Sequence, residues 1–149
     1  MTSRRFRQLV VGAVSVVLAS LAGTASDAAR IGDRLYVVLI DHDQNKFSNA
    51  MRTGADFLAG GPGRSFQIML DGYGVLSAVR GVAVVQREYM EIKRKHADLV
   101  VIVCKESADS LARANKGRRV PYLPGIRIAP CNGLRAKLEK DGWRPALGF

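Results

Sequence analysis

An uninterrupted apolar run at residues 99–103 is the clearest structural signal in the chain. Four of its five residues are β-branched, and the run stands between Asp98 and Cys104. Such a composition predicts a strand at residues 98–104 that is covered on both faces, as in a parallel sheet beneath helices. Residues 34–40 have the same composition and predict the first strand. Shorter strands are predicted at residues 65–70, 126–129 and 143–147, the last at an edge because it contains Pro145.

Amphipathic segments separate these strands. Between residues 45 and 59 the apolar positions recur mostly at steps of three and four, which predicts a helix with one face on a sheet. Three glycines and Pro62 at residues 60–63 end that helix. Further helices are predicted at 86–96, with Tyr89, Met90 and Ile92 as candidates for its inner face, and at 106–115 and 133–141. Residues 75–85 fit either a helix start or an irregular extended piece.

The alternation of strands and helices predicts the fold class. A chain of this order forms a mostly parallel sheet of about five strands, with right-handed crossovers that place helices on both faces. We therefore expect a three-layer α/β fold of the flavodoxin or Rossmann type. No internal repeat or long linker divides the chain, so residues 26–149 are expected to form a single domain.

The first 25 residues have the character of a secretory signal. Arg4, Arg5 and Arg7 precede an uncharged apolar run at 9–21, which is followed by small residues. We expect cleavage between Ala25 and Ala29, and a periplasmic or secreted protein without a stable membrane anchor. A retained transmembrane anchor is the weaker interpretation, because about 20 apolar residues are needed to span the hydrocarbon. The export route, Sec or twin-arginine, stays open.

Basic side chains exceed acidic ones, 23 against 13, and three of the arginines lie in the predicted signal. The remaining excess favours an acidic partner or an anionic surface. The longest basic cluster is Lys116 with Arg118 and Arg119, and no aromatic residues are interleaved with it. Nucleic acid is therefore not an expected partner.

Polar and reactive side chains follow four of the predicted strands. In a parallel sheet the carboxyl ends of the strands lie along one rim, which is where ligands bind in open α/β sheets. The residues expected there are His42 with Asp41 and Asp43, Asp71 with Tyr73, Cys104 with Lys105, Glu106 and Ser107, and Cys131 with Asn132.

The two cysteines are the candidate chemical groups of this rim. Cys104 and Asn132 each stand near the start of a predicted helix, where free backbone N–H groups favour a negative charge such as a thiolate, and Lys105 adds a positive charge. These surroundings make a nucleophile or persulfide carrier possible. The alternatives are a buried apolar Cys104 that ends a strand, or a structural disulfide between Cys104 and Cys131 in an oxidising compartment.

Other site chemistries are less well supported by the sequence. His42 is either a ligand or base, or a solvated loop histidine between two aspartates. Cys104, Cys131 and His42 form a plausible ligand set, but their spacing matches no zinc motif, so no metal is expected. The chain also lacks a phosphate loop, a complete dinucleotide fingerprint and a serine-hydrolase elbow, and we expect no cofactor.

Several short motifs, taken in order, resemble the DsrE/DsrF-like family of small α/β proteins. In the second half they are an apolar strand ending in Cys104, Ser107, Leu123-Pro124-Gly125-Ile126, Pro130, Gly133-Leu134 and Gly142-Trp143. In the first half they are a helix containing Asn49-Ala50 and a strand running into Asp71-Gly72-Tyr73-Gly74-Val75, where the family often has a histidine-glycine turn ahead of a valine. The resemblance covers roughly residues 34 to 148.

This resemblance implies a five-stranded parallel sheet, assembly into dimers, trimers or hexamers, and transfer of sulfur as a cysteine persulfide between partner proteins. Cys104 matches the strand-end cysteine of the family. The chain departs from the family in two respects. Most sulfur-relay members are cytoplasmic, and Cys131 occupies a place where the family usually has a small residue, which permits a disulfide that removes the free thiol.

The leading hypothesis is that the protein is exported and homo-oligomeric and acts as a sulfur carrier rather than as an enzyme with turnover. Cys104 would accept sulfane sulfur as a persulfide from a donor protein or small sulfur compound, and Cys131 would act as a resolving thiol. His42, Asp71, Tyr73, Lys105, Ser107 and Asn132 are the candidate binding residues. The alternative is a noncatalytic binding or assembly module with a structural Cys104–Cys131 disulfide.

Overall fold

The structure, a computed structural model, describes residues 32–149. The predicted signal at residues 1–25 lies outside the described residues. Within residues 32–149, no helix combines the length and the apolar character that crossing a membrane requires.

Strands and helices follow each other in the predicted order. The strands are β1 (Arg34–Leu39), β2 (Ser65–Leu70), β3 (Val100–Cys104), β4 (Arg127–Ala129) and β5 (Arg144–Pro145). The helices are α1 (Gln44–Ala59), α2 (Gln86–Lys95), α3 (Lys105–Ala114) and α4 (Leu134–Lys140), and a short 3-10 helix, Gly72–Ala78, follows β2. The type of each predicted strand and helix is confirmed, and each boundary lies close to its predicted position.

The sheet topology explains where the helices lie. All five strands are parallel, in the order β4-β3-β2-β1-β5. The steps from β1 to β2, β3 and β4 run in one direction across the sheet, so right-handed crossovers place α1, α2 and α3 on one face. The step from β4 back to β5 runs in the opposite direction and places α4 on the other face. The expected three-layer, flavodoxin- or Rossmann-like α/β fold is confirmed.

The larger core lies between the sheet and helices α1–α3. Val37, Ile68 and Val103, from three adjacent strands, belong to one buried cluster with Phe47 of α1 and Tyr89 of α2. Strand β2 is central in the sheet and almost entirely buried. Burial of both faces accounts for strands that are apolar without alternation.

A smaller cluster lies on the opposite face, beneath α4. Tyr36 of β1, Met69 of β2 and Leu138 of α4 are buried together, and Cys131 and Trp143 pack against them. The hydroxyl of Tyr36 also donates a hydrogen bond to Glu139 of α4, at 2.6 Å. The short α4 is thus held on the sheet, and the loop that carries Cys131 is held with it.

The segment at residues 75–85, left open by the sequence, begins within the 3-10 helix, whose first turn contacts the end of β1. The amide of Gly74 donates to the carbonyl oxygens of Ile40, at 3.1 Å, and Asp71, at 2.8 Å. A Cβ atom at position 74 would overlap the carbonyl oxygen of Leu39. Beyond the 3-10 helix, Val79 forms an isolated antiparallel bridge with Tyr122. Long-range backbone contacts, not local periodicity, therefore determine this segment.

Candidate functional site

The two cysteines meet at the carboxyl ends of β3 and β4. Cys104 is the last residue of β3 and the N-cap residue of α3, and its side chain is fully buried. Cys131 follows β4 after Pro130, and the two residues form a disulfide with Cα atoms 5.2 Å apart. Residues 32–149 contain no free cysteine. Of the alternatives left open for Cys104, the structure contains the disulfide-bonded one.

Cys131 is the more accessible half of the disulfide, because it is half-buried whereas Cys104 is sealed. The amide of Cys131 donates a hydrogen bond to Oε2 of Glu106, at 3.1 Å, and this bond, together with the amide of Asn132, lowers the pKa of Glu106. A carboxylate therefore lies beside the Cys131 backbone. The sequence placed Glu106 on the rim but gave it no role.

A second cluster of hydrogen bonds ties the end of β2 to the first turn of α3. The hydroxyl of Ser107 donates to Oδ1 of Asp71, at 2.5 Å. The amide of Gly72 donates to the same Asp71 oxygen, at 2.8 Å, and to the Ser107 hydroxyl, at 2.9 Å. Two of the predicted binding residues, Asp71 and Ser107, are thus brought together. Because the polar atoms of Asp71 and Ser107 bind each other, this arrangement holds the end of β2 against the first turn of α3.

His42 lies at the end of β1 and is not brought to the sulfur atoms. The sheet order separates β1 from β3 by two strand spacings, roughly 10 Å. The Nε2 atom of His42 lies 2.8 Å from Nε2 of Gln44. The neighbouring aspartates have local structural contacts: Asp43 accepts hydrogen bonds as the N-cap of α1, and Lys46 pairs with Asp41 and lowers the pKa of that carboxyl. Within residues 32–149 no group of three His, Cys, Asp or Glu side chains is placed to hold a metal ion.

The remaining candidate binding residues are Lys105, Asn132 and Tyr73. Lys105 pairs with Asp109 one turn along α3, with Nζ 2.5 Å from Oδ2. Asn132 is exposed and precedes Gly133, the N-cap residue of α4, which has a left-handed backbone conformation. Tyr73 is 77% exposed and, with Leu76, lines an apolar cavity of about 360 Å³.

A larger cavity was not predicted from the sequence. It has a volume of about 710 Å³ and lies beside α3 and β4, on the face of the sheet that carries α1–α3. Residues from four separate segments line it, including Arg80, Lys105, Arg119 and Ile128. Two sequence signals lie near it, the predicted binding residue Lys105 and the basic cluster at Lys116, Arg118 and Arg119.

Comparisons with known proteins support the fold. No protein-family model matches the chain, and no curated protein matches it significantly. A solved structure of a protein of unknown function from Methanobacterium thermoautotrophicum is similar, with a TM-score of 0.61 and 11% sequence identity. The match covers 76% of this chain and 96% of that one. At this identity the similarity concerns the fold alone.

Proposed function

We propose that this protein is an exported, DsrE/DsrF-like sulfur carrier, and that the Cys104–Cys131 pair is its working site. The observation that carries the proposal is that the two cysteines of the chain lie together at the carboxyl ends of adjacent strands. In an oxidising compartment the disulfide is the resting form. A donor and an acceptor of sulfur are the partners that this function requires.

Reduction of the disulfide begins at the accessible sulfur. An external thiolate attacks Sγ of Cys131, the bond between the two protein sulfurs breaks, and Cys104 leaves as a thiolate. The second thiolate of the reductant then attacks the reductant's own sulfur in this mixed disulfide, which closes a disulfide within the reductant and releases Cys131 as a thiolate. No side chain caps the N-terminus of α3 at Cys104. The peptide dipoles at this helix start therefore favour the anionic form of the Cys104 thiol.

The reduced Cys104 thiolate then takes up sulfur. It attacks the terminal sulfur of a polysulfide, forms a persulfide on Cys104, and displaces the polysulfide shortened by one atom. An acceptor thiolate removes the terminal sulfur and restores the Cys104 thiolate. Alternatively, the Cys131 thiolate attacks the inner sulfur, releases hydrosulfide and closes the disulfide again.

Mass spectrometry of the reduced protein after exposure to polysulfide tests this proposal. We expect Cys131→Ser to gain the mass of one sulfur atom on Cys104, and Cys104→Ser to gain none at the strand end. The wild type is expected either to keep that sulfur or to return to the disulfide through Cys131. The matched serine variants test the two cysteines one at a time, with little change in side-chain volume. Absence of a mass gain on Cys104 in reduced Cys131→Ser, which has no resolving thiol, removes the proposal.

Complete burial of Cys104 favours a second function, a noncatalytic binding or assembly module with a structural disulfide. A thiol count on folded protein from its own compartment, before and after mild treatment with a dithiol, distinguishes the two. The sulfur carrier gives two thiols after that treatment while the protein stays folded. The binding module gives none until the protein unfolds.

A further inference from the structure

The cavity of about 710 Å³ beside α3 is separate from the disulfide. Its apolar wall includes Ala108, Leu123 and Ile126, which belong to the core on the α1–α3 face of the sheet, whereas Cys131 packs in the cluster on the opposite face. Small-molecule sites commonly have volumes of about 300–1,000 Å³ and mostly apolar walls with a few polar groups. The cavity has both properties.

The cavity carries an excess of positive charge. Arg80, Lys105 and Arg119 line it, against the single carboxylate of Asp109. Lys105 and Asp109 pair with each other, so their charges largely compensate. The guanidinium groups of Arg80 and Arg119 form no hydrogen bond or ion pair with any other residue of the described part, 32–149. Two guanidinium groups with unused donors thus flank an apolar space.

The two arginine-bearing segments are held together by the backbone. The amide of Arg80 donates to the carbonyl oxygen of Pro121, at 2.8 Å, and the amide of Leu123 donates to that of Ala78, at 2.9 Å. Between them Val79 and Tyr122 form an antiparallel bridge. This short two-stranded contact fixes the cavity wall, so the arginines are presented from ordered backbone.

We propose that this cavity binds a small organic anion, with its carboxylate, sulfonate or phosphate group on Arg80 and Arg119 and its apolar body against Ile126 and Ile128. Arginine forms charge-assisted, often bidentate hydrogen bonds to such groups. The site rests on neither of the two functions proposed above, because it lies across the sheet from the cysteines and does not use them.

A pair of matched fluorescent probes tests the site on the oxidised protein. Anilinonaphthalene sulfonate has an apolar body and one anionic group, and phenylnaphthylamine has the same body without the charge. The variants are Arg80→Gln with Arg119→Gln, and, as a control for general charge, Arg118→Gln, an exposed arginine next to Arg119 that does not line the cavity. The arginine side chains are exposed, so thermal unfolding of all variants is expected to match the wild type.

We expect saturable binding of the anionic probe to the wild type and to Arg118→Gln, and binding weakened by about tenfold or more in the double variant, because charge-assisted hydrogen bonds are lost. Binding of the uncharged probe is expected to be weaker and equal in all three proteins. The proposal is overturned by any of three results: no saturable binding of the anionic probe, equal binding by the double variant, or an equal loss in Arg118→Gln.

Discussion

Tyr89 of α2 shows how a single polar atom is accommodated in the main core. The ring is fully buried and stacks on Phe47, with centroids 6.4 Å apart, and the hydroxyl donates to the carbonyl oxygen of Pro124, at 2.7 Å. Burial raises the pKa of Tyr89 to about 12. The helical period predicted an inward Tyr89, which is confirmed, but Met90 is 43% exposed. Adjacent positions on a helix do not share a face, so only one of the two is buried.

The raised pKa of Tyr89 predicts a pH dependence. In the unfolded chain this phenol ionises near its ordinary value of 10.0, whereas the folded protein keeps it neutral up to about 12. Its contribution to stability is therefore complete below pH 10 and is lost as the pH rises toward 12. We expect Tyr89→Phe to lose about 1 kcal/mol at neutral pH through the missing hydrogen bond, and this difference from the wild type to narrow above pH 10.

Urea unfolding of the wild type and Tyr89→Phe at a series of pH values from neutral to alkaline measures this effect. Tyr73→Phe is the matched control, because Tyr73 is largely exposed and its replacement is expected to leave the stability nearly unchanged. Parallel profiles for the wild type and Tyr89→Phe above pH 10 would contradict the assignment.

At the scale of strands and helices, predictability follows burial. Strands β1, β2 and β3 could be predicted from the sequence because both of their faces are covered, which makes their sequences continuously apolar. β4 and β5 are short, exposed edge strands, and one residue of β5 is a proline, so their ends are less determined. The 3-10 helix after β2 is fixed by backbone contacts to the end of β1. No local pattern of side chains encodes contacts of that kind.

Close packing of α1 on the sheet depends on a glycine that the apolar pattern does not reveal. Gly54 lies in the middle of α1, where a glycine is less favourable than alanine by about 1 kcal/mol. A Cβ atom at this position would lie 2.6 Å from Cδ1 of Phe66 and 2.7 Å from Cδ1 of Leu99. Both neighbours are fully buried, so neither can move without disturbing the core.

We therefore expect Gly54→Ala to destabilise the protein by about 1–3 kcal/mol, because overpacking outweighs the gain in helix propensity. Thr53→Ala, at the exposed neighbouring position of α1, is the control and is expected to leave stability nearly unchanged. Urea unfolding monitored by circular dichroism measures both. A Gly54→Ala protein as stable as the wild type would show that α1 can move away from β2.

At the scale of the whole molecule, the sequence predicted which residues share the rim, left the bond between Cys104 and Cys131 open, and did not predict the contact between Asp71 and Ser107. The parallel fold brings Asp71 to Ser107 and Cys104 to Cys131. Whether two cysteines bond depends on the distance between β3 and the loop after β4, which no local pattern contains. The arginine-lined cavity is assembled from four separate segments, so its existence is likewise a property of the folded chain.

The disulfide closes a loop with a sequence separation of 27 that contains α3, much of the cavity wall and β4. Because a cross-link of this length restricts the unfolded chain, we expect its removal to lower the free energy of unfolding by about 3 kcal/mol. Urea unfolding of the oxidised wild type, the reduced wild type and Cys104→Ala with Cys131→Ala measures the loss. The reductant is expected to leave the free energy of unfolding of the double variant unchanged. This control separates the effect of breaking the disulfide from other effects of the reductant. A reduced wild type as stable as the oxidised one would mean that the disulfide does not hold the second half of the sheet together.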